Sequence, residues 1–374
     1  GGIILGKKGG VKYIDEFRNK KLVKEAAAKI AAIAPKSKIN FMEVCGTHTQ
    51  SFFRFGLRRL LPDNLKLIAG PGCPVCVSSQ EYIDNAIALS GDKENIILTF
   101  GDMLRIPGTR SSLERERARF GNVRVVYSAM DALTLALASP DKKFIFLAAG
   151  FETTAPTIAV TIITARKMKL KNLFFFCALK LIPPVMDYLL KGGELNLQGF
   201  LCPGHVSAII GARPYEQIAK KYRINCCVTG FEPLDMLEGI YLLLNQLSRN
   251  RRPCVLNQYT RVVTKDGNKL ALRIMKEVFD TCGADWRGFG NVPASGLKIR
   301  KEFSQFDAER AFVLKRRPAQ AGRRQSSCRC GDILKGLISP RECPLFLKSC
   351  RPEEPIGPCM VSSEGACNVY YKYR

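Results

Sequence analysis

Eight short apolar runs, at 39–44, 65–69, 95–100, 123–127, 144–148, 173–179, 200–202 and 224–228, recur along the chain. Most give way to a Gly- or Pro-containing turn and then to a segment of helical apolar spacing. Runs of this length bounded by turn residues read as buried strands, and strands alternating with helices of ordinary length make βα units. The alternation therefore constrains the chain to an α/β fold with parallel sheets and right-handed crossovers. In such sheets chemistry gathers outside the carboxyl ends of the strands. The turns at those ends are Cys45-Gly46-Thr47-His48, Pro71-Gly72-Cys73-Pro74, Gly101-Asp102-Met103, Gly150-Phe151-Glu152-Thr153-Thr154, Pro203-Gly204-His205 and Gly230-Phe231-Glu232-Pro233. Their thiols, imidazoles and carboxylates mark the candidate site.

The rhythm looks duplicated, since Gly70-Pro71-Gly72-Cys73-Pro74-Val75 in the first four-strand group echoes Cys202-Pro203-Gly204-His205-Val206-Ser207 in the second. Two similar parallel-sheet α/β domains of about 100 residues, facing one another across a cleft, are expected at 36–138 and 139–237. After a polar break at 248–253 the alternation stops. A third, loop-rich and helical iron-sulfur domain is expected over 238–374, joined by an N-terminal helix at 12–35.

Fifteen of the 374 residues are cysteines. Residues 1–10 lack the apolar core of a secretion signal and no tract is long enough to span a bilayer, so a cytoplasmic address is expected. In a reducing compartment so many thiols argue for metal ligation or thiol chemistry rather than a disulfide framework. Six of them, Cys328, Cys330, Cys343, Cys350, Cys359 and Cys367, fall in a stretch that also holds five prolines and four glycines. Zinc ribbons need paired C-x2-C knuckles, which this stretch lacks. Four thiolates from an irregular segment suit a 4Fe-4S cluster. We assign Cys328, Cys343, Cys350 and Cys367 as its ligands, with Cys330 and Cys359 in reserve.

The formal charge is +25, yet the basic residues are dispersed, with runs only at 249–252, 315–317 and 323–324 and none interleaved with aromatics. A nucleic-acid groove needs that interleaving. A solvated basic surface, or one that steers an acidic protein partner, fits better. The two histidines, His48 and His205, both stand in strand-end turns. Glu152, Glu232 and Asp235 stand where helices begin, so capping competes with a site role. Asp102 closes a turn or orients a ligand. Glu364, three residues before Cys367, hydrogen-bonds near the cluster or caps a last helix.

The strings Glu43-Val44-Cys45-Gly46-Thr47-His48-Thr49, Gly70-Pro71-Gly72-Cys73-Pro74-Val75-Cys76 and Gly150-Phe151-Glu152-Thr153-Thr154-Ala155-Pro156 resemble motifs of the HypD family. So do Cys202-Pro203-Gly204-His205-Val206-Ser207, Gly230-Phe231-Glu232-Pro233-Leu234-Asp235 and Met360-Val361-Ser362-Ser363-Glu364-Gly365-Ala366-Cys367. The family comprises maturation, or metallocenter assembly, proteins of nickel-iron hydrogenases, and the resemblance runs from about Tyr13 to the C-terminus. It implies a scaffold on which the Fe(CN)2CO unit is assembled. The resemblance further implies that the iron is held between this protein and a small HypC-type chaperone and that cyanide arrives from a HypE-type partner. It also implies an assembly factor with redox activity rather than a conventional turnover enzyme, monomeric before complex formation. Carried over residue by residue, Cys45 is the iron thiolate with His48 beside it. Cys73 and Cys76 are the redox pair, and the C-terminal cysteines are the cluster ligands.

The chemistry of the residues agrees. Ferrous iron carrying cyanide and CO favours a soft donor such as a thiolate, and Cys45 is expected at a helix N-terminus, which lowers a thiol pKa. Cys73-Pro74-Val75-Cys76 has the C-x-x-C spacing that closes a two-electron disulfide ring, giving an electron path from cluster to iron site. His48 has three open roles: iron ligand, hydrogen-bond donor to bound cyanide, or proton relay near its unperturbed pKa. Two other readings use the same side chains. Cys45, His48, Cys73 and Cys76 make a zinc-binding structural or interaction module, or the chain is a stand-alone iron-sulfur thiol-disulfide oxidoreductase. The latter lacks any G-x-G-x-x-G nucleotide fingerprint.

Overall fold

The computed structural model describes residues 15–249, 251–314 and 327–374. Positions 12–14 of the expected N-terminal helix, position 250 of the basic run 249–252, and the basic stretch 315–326 lie outside the described residues. The strands are β1 (Ile39–Glu43), β2 (Leu65–Ala69), β3 (Asn95–Thr99), β4 (Val123–Val125), β5 (Lys143–Gly150), β6 (Leu173–Leu179), β7 (Gly199–Pro203), β8 (Asn225–Thr229), β9 (Val255–Asn257), β10 (Phe279–Trp286) and β11 (Gly290–Ile299). Every expected apolar run thus becomes a strand. The fold is α/β, with two parallel sheets and a cysteine-rich region.

The chain divides into two compact units. The first comprises Gly1–Gly72, Gly193–Gly267 and Tyr373, and the second Cys73–Gly192, Asn268–Lys372 and Arg374. The first unit holds a five-stranded parallel sheet in the order β2-β1-β7-β8-β9. Its register sets Ile39 opposite Leu65, Phe41 opposite Gly199, and Gly199 opposite Asn225. The second holds a four-stranded parallel sheet, β4-β3-β5-β6, and the antiparallel β10-β11 hairpin. All five residues of β3 are buried, as are all of β5 after Lys143, which suits strands covered on both faces.

This partition runs along different lines from the expected boundaries at 36–138 and 139–237. The chain lays down β1 and β2, leaves the first unit at Gly72, completes β3 to β6 in the second, and returns for β7 to β9. Alternation along a sequence reports that strands exist; which strands pair depends on long-range packing that local periodicity does not encode. The two echoing motifs accordingly follow β2 and β7 of one sheet rather than matching strands of two domains. The region 238–374 is likewise divided between the two units. Its helix Pro233–Ser248 and strand β9 belong to the first unit, and its cysteine-rich stretch to the second.

The N-terminal helix, observed at Lys20–Ile33, also belongs to the first unit. Asn19 caps it, its side chain accepting from the N–H groups of Lys21 and Leu22. Val23, Ala27 and Ile30 then fall on one face and join a core of Phe41, Phe52, Leu237, Ile240 and Leu244. Among the described residues no helix is long and apolar enough to cross a membrane. Ile30 is fully buried in that core. Ile30→Ala should therefore lower the stability of the first unit by about 2–5 kcal/mol, read from its urea unfolding transition.

Candidate functional site

In the first unit β1 delivers Glu43 to the sheet edge, and two residues later Cys45 stands at the N-cap of the helix Gly46–Arg54. The chain after β2 folds back onto this point. Gly70 N–H donates to the Glu43 carbonyl at 2.8 Å and Gly46 N–H to the Gly72 carbonyl at 2.9 Å. A Cβ on Gly72 would sit 2.2 Å from the Cys45 nitrogen, so only glycine permits this approach of backbone to backbone.

His48 is completely buried. Its Nε2 lies 3.1 Å from the Thr229 carbonyl and 3.0 Å from that of Gly230. Two carbonyl acceptors place the proton on Nε2. Nδ1 is buried without a hydrogen-bond partner among the described residues. Burial lowers the imidazole pKa to about 4, so the ring is neutral near pH 7. This corrects the expectation of a relay near the ordinary histidine pKa, and the bound Nε2–H leaves Nδ1 as an acceptor or ligand rather than a donor. Phe231 lies tilted against His48 at 4.8 Å and stacks against His205 at 3.9 Å between ring centroids, so the two histidines share one aromatic wall.

Glu232 and Asp235 form a capping box at the start of Pro233–Ser248. Glu232 also pairs with Arg18, and buried Asp235 accepts both arms of Arg261 at 2.7 and 2.6 Å. Their role is structural. Glu43 is the carboxylate that sequence reasoning passed over. Thr49 Oγ1 donates to its Oε2 at 2.6 Å, Oε1 is buried without a partner, and burial pushes its pKa up to about 7. Its one sequence signal is a charged residue closing an apolar strand.

The second unit carries the C-x-x-C pair. Cys73 caps the short helix Pro74–Val77, its sulfur accepting from Cys76 N–H at 3.3 Å. The two sulfurs stand 2.7 Å apart and both residues are buried. Beyond them lies Cys359, fully buried in the turn Pro358–Met360. The neighbouring thiols of Cys330, Cys367 and Cys76 pull the pKa of Cys359 down. Cys328, Cys330, Cys343, Cys350 and Cys367 line a single cavity walled by Ile333, Leu345, Phe346 and Met360. All four assigned ligands face it, together with Cys330; Cys359 is not among its lining residues. Gly357 presses its backbone against this cavity, where a Cβ would fall 2.5 and 2.6 Å from the sulfurs of Cys330 and Cys328.

Glu152 is buried, with its pKa raised to about 7 by burial. Its Oε1 accepts from Ile182 N–H at 2.9 Å, so it caps Ile182–Lys191 rather than the helix that follows it in sequence. Asp102 accepts from Ser362 Oγ at 3.2 Å, and Ser362 in turn accepts from the Glu364 N–H. Cys45 and His48 belong to the first unit, Cys73 and Cys76 to the second. Among the described residues no three His, Cys, Asp or Glu side chains are grouped so as to hold a metal ion.

The class defined so far is a two-unit parallel α/β protein whose cysteine-rich lobe is compatible with metal or iron-sulfur binding. The HypD family model, described as "Hydrogenase formation hypA family", matches residues 21–374. A hydrogenase expression/formation protein HupD of Azotobacter chroococcum is 44% identical over 371 residues, covering 97% of each chain. The hydrogenase maturation factor HypD of Cupriavidus necator is 42% identical over 372 residues, again 97% of each. That of Escherichia coli is 41% identical over 377 residues, 97% of this chain and 98% of its own. The chain belongs to the HypD family of hydrogenase maturation factors.

The buried Glu43 carboxyl gives a titration test. Its folded-state pKa of about 7 exceeds the ordinary 4.5, so its contribution is fully present below pH 4.5 and is lost as pH rises towards 7. Glu43→Gln removes this dependence and leaves that of His48, whose sign is opposite. Between pH 4.5 and 7 the wild type should lose roughly 3 kcal/mol relative to Glu43→Gln, measured by urea unfolding at each pH.

Proposed function

We propose that the protein is the platform on which the Fe(CN)2CO unit of a nickel-iron hydrogenase is assembled. The iron cargo is bound by the Cys45 thiolate together with a HypC-type chaperone, and cyanide is supplied by a HypE-type partner. The observation that carries this reading is the run of buried thiols in the second unit, in which Cys359 adjoins Cys330 and Cys367 on one side and Cys76 on the other. Such a continuous set of sulfurs has no packing rationale and suits stored electrons.

Each part has a distinct task. Cys45 offers a soft anionic donor at a helix start. His48 presents a neutral Nδ1 lone pair with its ring locked by two carbonyls. Cys73 and Cys76 hold two electrons as a dithiol, and release them with two protons when the S–S bond closes. What supports a 4Fe-4S cluster in this reading is that five thiols line one pocket free of carboxylates and that Gly357 leaves the sulfurs of Cys328 and Cys330 room. Cys328, Cys343, Cys350 and Cys367 would hold it, and when bound it supplies one-electron chemistry. The protein is a cytoplasmic assembly factor in this reading.

Infrared spectroscopy of the anaerobically purified protein, co-expressed with its HypC-type partner and the other maturation proteins, tests the platform. Metal-bound cyanide and CO bands are expected, and Cys45→Ala should abolish them. Their absence alongside stoichiometric zinc would overturn the reading in favour of a zinc module. Cys73→Ser should abolish hydrogenase maturation in cells, and Gly357→Ala should lower the iron and sulfide content of the reconstituted protein.

A further inference from the structure

Arg287 follows the buried Trp286 at the end of β10 and grips the stretch just after Cys76. Its main-chain N–H donates to the Val77 carbonyl at 3.0 Å, Nε to the Ser78 carbonyl at 2.8 Å, and Nη1 to Gln80 Oε1 at 2.9 Å. Ser78 and Trp286 add an antiparallel bridge. All three acceptors are neutral. The remaining nitrogen, Nη2, is buried with no hydrogen-bond partner among the described residues. The side chain borders a cavity lined by Cys328, Cys330, Asp332, Gly357 and Pro358. Burial pulls its pKa down, and the groups that act against this are the thiols of Cys330, Cys359, Cys328 and Cys76.

A guanidinium does not shed its proton in a protein. Holding one in the interior is costly unless negative charge faces it. Asp332 is engaged by Arg329, so the groups left to face Arg287 with negative charge are sulfurs. The geometry points to Arg287 as a positioning residue that sets the electron affinity of the second unit's sulfur groups, by clamping the turn after Cys76 and fixing a positive charge against the thiols of both cysteine sets. The inference rests on reading those cysteines as redox groups.

The sign follows from charge. Opening the Cys73–Cys76 disulfide takes up two electrons, and two protons when both sulfurs are protonated; any sulfur left as thiolate is stabilised by the cation. A bound cluster gains one negative charge with its electron. Arg287 therefore favours the reduced form of each, and removing its charge should shift both reduction potentials to more negative values.

The test uses the full chain in two forms, with Arg287→Gln and Arg287→Lys. In cluster-free protein equilibrated with mixtures of reduced and oxidised dithiothreitol, thiol trapping and mass spectrometry report the closed fraction of Cys73–Cys76. Arg287→Gln should favour the disulfide on the order of tenfold in the equilibrium constant, and Arg287→Lys, which keeps the charge, markedly less. In anaerobically reconstituted protein titrated with dithionite, electron paramagnetic resonance should place the cluster couple of Arg287→Gln at a more negative potential. Unchanged potentials in Arg287→Gln would overturn the inference, including the case where both variants merely lose stability. If the wild type takes up no cluster, the iron-sulfur reading fails, while the dithiol equilibrium still decides the role of Arg287.

Discussion

The hydrogen bond from Gly46 N–H to the Gly72 carbonyl, made where backbone lies directly on backbone, is the contact on which the placement of the Cys45 motif within the first unit depends. It fixes the start of the helix that Cys45 caps, and it fixes the last residue before the chain passes to the second unit at Cys73. No side chain larger than hydrogen fits, so the arrangement is set by main-chain groups and does not drift with rotamers. His48 is fastened in the same way, through two backbone carbonyls at the end of β8.

Burial governs the electrostatics of both units. Glu43 and Glu152 sit at strand ends with few hydrogen bonds, and burial makes each a weaker acid. His48 is held neutral for the same reason. Chemistry-bearing motifs on a chain of formal charge +25 thus hold several buried groups in neutral form, while Arg287 beside the sulfurs and the Arg18–Glu232 and Arg261–Asp235 pairs keep their charge.

Much of this was legible in the sequence, because buried parallel strands leave apolar runs that turn residues punctuate. The eight runs became β1 to β8. The hairpin β10-β11 was not anticipated, since Phe279–Trp286 alternates weakly and is largely solvent-facing. The cysteines announced themselves by number and spacing. Arg287 did not, because an arginine is ordinarily a surface residue and only tertiary structure puts this one indoors. Glu152 was expected to compete for the cap of its own helix, yet it serves Ile182, which is thirty residues away in sequence and adjacent in space.

The interleaved strand order constrains how the protein can be made. Met42 pairs with Phe200, so the central ladder of the first sheet joins segments that leave the ribosome far apart in time. Until β7 is synthesised, β1 and β2 are a two-stranded fragment with an open apolar edge, too small to be stable by itself. The sheet from β3 to β6, by contrast, is contiguous in the chain and can pair as it emerges. The first unit should accordingly consolidate last, with loop closure across the inserted sheet as its slow step. A nascent chain held at that stage exposes the Cys45 thiol on an incomplete scaffold, whereas in the finished molecule it is buried.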